Sequence, residues 1–121
     1  MARFVQIFIM IVFIFISHAA NATEKRCGWL ANPTPANLWL IDRDGSWIIS
    51  IQGGYHVAEA SLDSLPQVNE NEFVRTNVNY GYSCVCLDVV VDKVSMRITQ
   101  IVSGQNLLLK KCLEDRALPK L

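Results

Sequence analysis

Histidine is nearly missing from this chain: 121 residues contain two, His18 and His56. Runs of like charge, internal repeats and low-complexity tracts are missing altogether. Each gap removes a class of function. Nucleic-acid binding rests on many cationic contacts to phosphate, and no basic stretch supplies them. A charged membrane surface or a polyanion finds no matching patch. His56 has no nucleophile motif beside it and reads as a solvated loop residue, not a general base. A spanning helix needs roughly 20 apolar residues. The longest apolar run, Phe4 to Ile16 with only Gln6 interrupting, is shorter.

That run follows Arg3 and precedes Ala20-Asn21-Ala22, small residues at the two positions a signal peptidase reads. The pattern predicts a secretory signal over residues 1–22, cleaved before Thr23, and hence a periplasmic or secreted protein with no stable membrane anchor. Glu24-Lys25-Arg26, just before Cys27, lacks the small apolar set of a lipidation site. The leader inflates the 51% hydrophobic content. Residues 23–121 carry ten of the Lys/Arg and all eleven Asp/Glu, a net side-chain charge of −1. They suffice for one small domain.

What is present begins with cysteine. All four, Cys27, Cys84, Cys86 and Cys112, lie beyond the leader. An even count in an exported domain of this size implies two disulfides. Cys84 and Cys86 stand one residue apart in a strand-like run, so both face one side with Cα atoms about 6.5–7 Å apart. That is the outer limit of disulfide geometry, so each is expected to bond a distant partner. One takes Cys27 and the other Cys112; spacing does not say which. Each bridge would add roughly 3–4 kcal/mol in the chain-entropy model. A zinc site could use four cysteines, but an exported chain oxidises them. A redox pair is ordinarily C-x-x-C.

The remaining pattern is short strands. Thr23 to Ala36, punctuated by Pro33 and Pro35, reads as an extended lead-in. Leu38 to Ile51 reads as a hairpin turning at Asp42-Arg43-Asp44-Gly45-Ser46. Turn chemistry favours a three-residue loop with a glycine bulge. That register puts Trp39, Ile41, Trp47, Ile49 and Ile51 on one face, and Leu38, Leu40, Ile48 and Ser50 on the other. A two-residue turn would instead place Trp47 with Leu38 and Leu40. Val57 to Leu65 suits one or two helical turns. Phe73 to Tyr80 reads as a strand. Cys84 to Val91 is a stronger one, with Val85, Leu87, Val89 and Val91 inward and Cys84, Cys86 and Asp88 outward. Both chain ends would then be strapped across that outward face. Met96 to Val102 follows, with Met96, Ile98 and Val102 on one face. Ser103-Gly104-Gln105-Asn106 signals a turn before Leu107 to Leu109. The fold class is all-β: a small antiparallel domain over residues 23–121, a partly open barrel or compact sandwich.

No catalytic set emerges. Asp42-Arg43-Asp44-Gly45 is only a fragment of a calcium loop. Glu70 and Glu72 sit in a polar loop without an apolar pocket to tune them. No catalytic residue, metal ligand or cofactor is assigned. The residues with recognition chemistry are Trp29, Trp39, Tyr55, Asn79, Tyr80 and Tyr82. Tyr and Trp give amphipathic contact area at low entropic cost; packing over a small core is their other use.

Several pieces together resemble a bacterial family of small exported proteins, DUF4087. They are Cys27-Gly28-Trp29 with Asn32-Pro33-Thr34-Pro35; Trp39, Asp42-Arg43-Asp44-Gly45 and Trp47; Gln52-Gly53-Gly54-Tyr55; Val74-Arg75-Thr76-Asn77; Tyr80-Gly81-Tyr82; Cys84-x-Cys86-Leu87; and Cys112. Val78-Asn79 and Ser83 stand where glycine is commoner. The resemblance implies an envelope location and the cysteine framework, and it carries over no catalytic or binding residues. The expected function is a non-enzymatic binding module of the bacterial envelope, of the inhibitor or immunity type, with a protein or cell-wall glycan partner and no nucleic acid. The alternatives are a structural or accessory periplasmic protein without a ligand site, or a small hydrolase or thiol redox factor.

Overall fold

The computed structural model describes residues 22–121. The expected signal segment, all but Ala22, lies outside the described residues. Among these, no helix is long and apolar enough to cross a membrane.

Six strands form one sheet: β1 (Glu24–Thr34), β2 (Asn37–Asp42), β3 (Gly45–Ser50), β4 (Phe73–Asn77), β5 (Tyr80–Asp92) and β6 (Arg97–Leu107). Two short helices, α1 (Glu59–Asp63) and α2 (Leu109–Leu113), follow β3 and β6. The order is β1-β2-β3-β6-β5-β4, and β1 also pairs with β5, so five strands close into a ring with β4 added beside β5. Three hairpin-connected strands with a later strand returning beside the first make a Greek key. The result is a five-stranded, partly open Greek-key barrel, the architecture of OB-folds. The all-β expectation and the two disulfides are both present.

The opening is the seam between β3 and β6. These strands meet only at Ile48 opposite Arg97, in parallel. The long connection after β3 fills the gap. Val57 N–H donates to the Ile49 carbonyl (3.0 Å), and the Ser61 hydroxyl on α1 accepts from Ile101 N–H (3.0 Å). Gly104 allows this cover, since a Cβ there would press on Leu87 and on Pro66. The barrel core is Leu40, Trp47, Ile49, Val57, Val85, Leu87, Val89, Ile98 and Ile101.

Several expectations need correction. The lead-in is extended but also paired over most of its length, as β1. The hairpin of β2 and β3 uses a two-residue loop, Arg43-Asp44, with Asp42 opposite Gly45 and Leu40 opposite Trp47. Leu40, Trp47 and Ile49 therefore point into the core, and Trp39 and Ile41 point out. The reason is Asp42. Its buried carboxylate accepts from Asp44 N–H (2.8 Å) and from the Trp47 indole N–H (2.9 Å), which ties the shorter loop to an inward-facing Trp47. The run Phe73 to Tyr80 breaks at Val78-Asn79. Bulges in β6 carry Ile101 inward opposite Val89 and leave Val102 exposed. Ser103 to Asn106 is strand, not turn, because β6 continues along β5 to Leu107, and Leu109 already begins α2.

Candidate binding face

The outward side of β5 was expected to carry both chain ends as straps. Only one end does so. Cys27 lies within β1, directly opposite Cys86, and the Cys27–Cys86 bond links neighbouring strands with Cα atoms 4.0 Å apart. Cys84–Cys112 spans 5.8 Å between Cα atoms and fastens α2 and the C-terminal tail over the sheet. Beneath this strap lies a second apolar cluster of Trp29, Cys84 and Cys112, joined by Ile41, Tyr82, Leu107, Leu109 and Leu118. Glu72 accepts from Leu109 N–H (2.8 Å), so one of the two loop carboxylates anchors the start of α2. Glu70 pairs with Arg75.

The six recognition candidates fall into different places. Trp29 is 1% exposed; its indole N–H donates to the Pro119 carbonyl (3.0 Å), and it supports the strap. Tyr55 is half-buried against the core. Its hydroxyl donates to the Ile98 carbonyl (2.7 Å), and the Arg97 guanidinium stands 4.6 Å from its ring. Burial raises the Tyr55 pKa above its ordinary 10.0, outweighing Arg97. Asn79 sits at the tip of the β4–β5 hairpin beside Val78, whose φ is +52°. Arg75 braces this tip by donating to the Asn79 carboxamide oxygen (2.8 Å). His56 is exposed beside β3.

Trp39 and Tyr82 do meet on one surface, and Tyr80 is on the same side of β5 as Tyr82. Directly paired residues of antiparallel strands face the same side. The pairings Val74–Tyr82, Tyr82–Ala31, Ala31–Trp39 and Trp39–Ile48 therefore define one outward row across β4, β5, β1, β2 and β3. None of its five residues is charged. Ala31 is 8% exposed and the other four are half-buried. Tyr82 is held from the side and at its tip: its ring meets Trp29 of the neighbouring outward row edge-on, with centroids 5.1 Å apart and planes at 83°, and its hydroxyl donates to the Leu121 carbonyl of the C-terminal tail (3.5 Å). The sequence reading missed Ala31, Ile48 and Val74. The alternation Trp29, Ala31, Pro33 was the signal for β1, and the prolines masked it.

A charged cluster occupies the barrel end where β1 starts. Arg26 faces inward, over the Trp47 ring at 3.9 Å, and pairs with Asp42 (2.8 Å), Glu24 (2.9 Å) and Asp44 (3.0 Å). Burial alone would lower the Arg26 pKa; the bonds to Asp42 and Asp44 raise it overall. Each carboxylate is already committed to a cation or an N–H group, so this cluster reads as a fastening. Among the described residues, no group of three or more His, Cys, Asp or Glu side chains is placed to hold a metal ion.

The sequence model described as "Protein of unknown function (DUF4087)" matches residues 21–119, nearly all of the described chain. No curated protein and no solved structure matches. The chain belongs to the DUF4087 family.

Proposed function

We propose that this chain is an exported, non-catalytic binding module of the bacterial envelope that engages its partner through the outward row of β5, β1 and β2. The observation that carries the reading is the row itself. It gathers Trp39 and Tyr82 from separate parts of the sequence onto one uncharged face. The rigidity around it fits: two disulfides and a closed ring hold the strands before any partner arrives, which lowers the cost of binding. Barrels of this architecture bind on the face of their second and third strands. Architecture alone assigns no ligand; the support for this reading comes from the aromatic side chains.

Export is supported by the leader pattern and by two disulfides in so small a chain. The test is a photo-crosslinking amino acid in place of Trp39, activated in intact envelopes. An adduct at Trp39 is expected, with none when the same group replaces Val102, which is exposed on β6. No adduct at Trp39, or equal adducts at both positions, would refute the reading.

A further inference from the structure

We infer that the row Tyr82–Ala31–Trp39 takes an uncharged, β-1,4-linked sugar chain lying across the strands, an inference that rests on the binding reading above. Neighbouring strands stand about 4.8 Å apart, so Trp39 and Tyr82, two strands apart, are separated by roughly 10 Å. One strand step is close to the length of one pyranose in an extended β-1,4 chain. The two aromatic residues then match one disaccharide unit, and alternate sugars can lie against them. Between them stands Ala31, the smallest side chain of the row, so no bulky side chain separates the two aromatic residues. Ile48 and Val74 continue the floor by one strand on each side.

Charge selects the same class. The five row residues are neutral, and the cations beyond its two ends are engaged elsewhere. Arg97 lies over the Tyr55 ring, and Arg75 is bonded to Glu70 and Asn79. A phosphate chain would find no cation among the five row residues, and phosphate contacts dominate nucleic-acid affinity. An aromatic ring has an electron-rich face that attracts weakly positive C–H groups. The axial hydrogens of a β-linked pyranose present such a face, while its hydroxyls stay at the rim in water. Preorganisation favours this use. Trp29 beside the Tyr82 ring and the Leu121 carbonyl at its hydroxyl fix this side chain, so little freedom is lost when a sugar stacks on it.

The experiment is an amide NMR titration of the full disulfide-bonded chain with chitotetraose, alongside N-acetylglucosamine and maltotetraose. Shifts are expected on β5, β1 and β2 around Tyr82, Ala31 and Trp39. The single sugar should bind at least tenfold more weakly, and the α-linked maltotetraose should leave these positions unmoved. Trp39→Ala should weaken chitotetraose binding at least tenfold with both disulfides intact by mass. Tyr82→Leu, which keeps apolar bulk against Trp29, should do the same if Tyr82→Ala fails to fold. Soluble peptidoglycan strands, which carry carboxylates beside the same β-1,4 backbone, form a second arm; tighter binding there than to chitotetraose would overturn the choice of an uncharged chain. Shifts confined elsewhere, equal response to maltotetraose, or unchanged binding by Trp39→Ala would overturn the inference. Silence with all the sugars, while Trp39 still crosslinks to a protein, would overturn it and leave the binding reading standing.

Discussion

Asp42 shows how much one side chain can decide. Its carboxylate caps the β2–β3 loop, receives the Trp47 indole N–H and neutralises Arg26, and only 5% of the residue is exposed. Removing one partner of a buried ion pair costs about 3–5 kcal/mol, because the other charge is left behind. Asp42→Ala is expected at the low end of that range, since Glu24 and Asp44 still reach Arg26. Urea unfolding with both disulfides oxidised measures it. Tyr55 gives a pH signature. Its pKa is raised in the folded chain, so its contribution is fully present below the ordinary 10.0 and is lost as pH rises through the folded value. The urea midpoint should therefore fall more steeply above pH 10 for the native chain than for Tyr55→Phe. Identical alkaline profiles would show that burial does not disfavour the Tyr55 phenolate.

At the scale of elements, the legible parts were those in which side-chain alternation acted alone. Val85, Leu87 and Val89 point into the core as their period-two spacing requires, and Cys84 and Cys86 point out. Legibility failed where a distant contact overruled a local preference. The glycine in Asp42-Arg43-Asp44-Gly45 suggested a bulged loop, yet Arg26, sixteen residues upstream, helps hold Asp42 inward and shortens the turn. The glycine of Ser103 to Asn106 suggested another turn, yet it serves the close approach of Leu87 and Pro66. Of the candidate face, Trp39 and Tyr82 were named from composition, but the row needed β1, whose prolines disguised it. The strap is testable as an element. Replacing Cys84 and Cys112 together by alanine should cost about 3.6 kcal/mol, the chain-entropy value for their separation of 28 residues. It should also open Trp29 to acrylamide quenching. Unaltered quenching would mean that the apolar contacts of Leu109 and Leu118 hold the strap without the bond.

The whole molecule is a ring whose two disulfides cross in sequence: Cys27 with Cys86, and Cys84 with Cys112. This crossing bears on how the chain acquires its bonds. In a reduced, unfolded chain Cys84 and Cys86 are nearly equivalent partners for Cys27, because closure entropy barely changes over two residues. Entropy cannot choose between them, but strand pairing can. In the folded sheet Cys27 faces Cys86, while Cys84 faces Trp29. A slip of two residues would keep every side chain on its proper face and still join the wrong sulfurs. Oxidation faster than sheet formation should therefore trap Cys27–Cys84 isomers whose tail is bonded to Cys86 or left free. Refolding in a glutathione buffer should recover the native pairs, and refolding by rapid oxidation alone should not. Partial reduction and bond mapping read the two outcomes. For this barrel, the sheet has to proofread its own crosslinks.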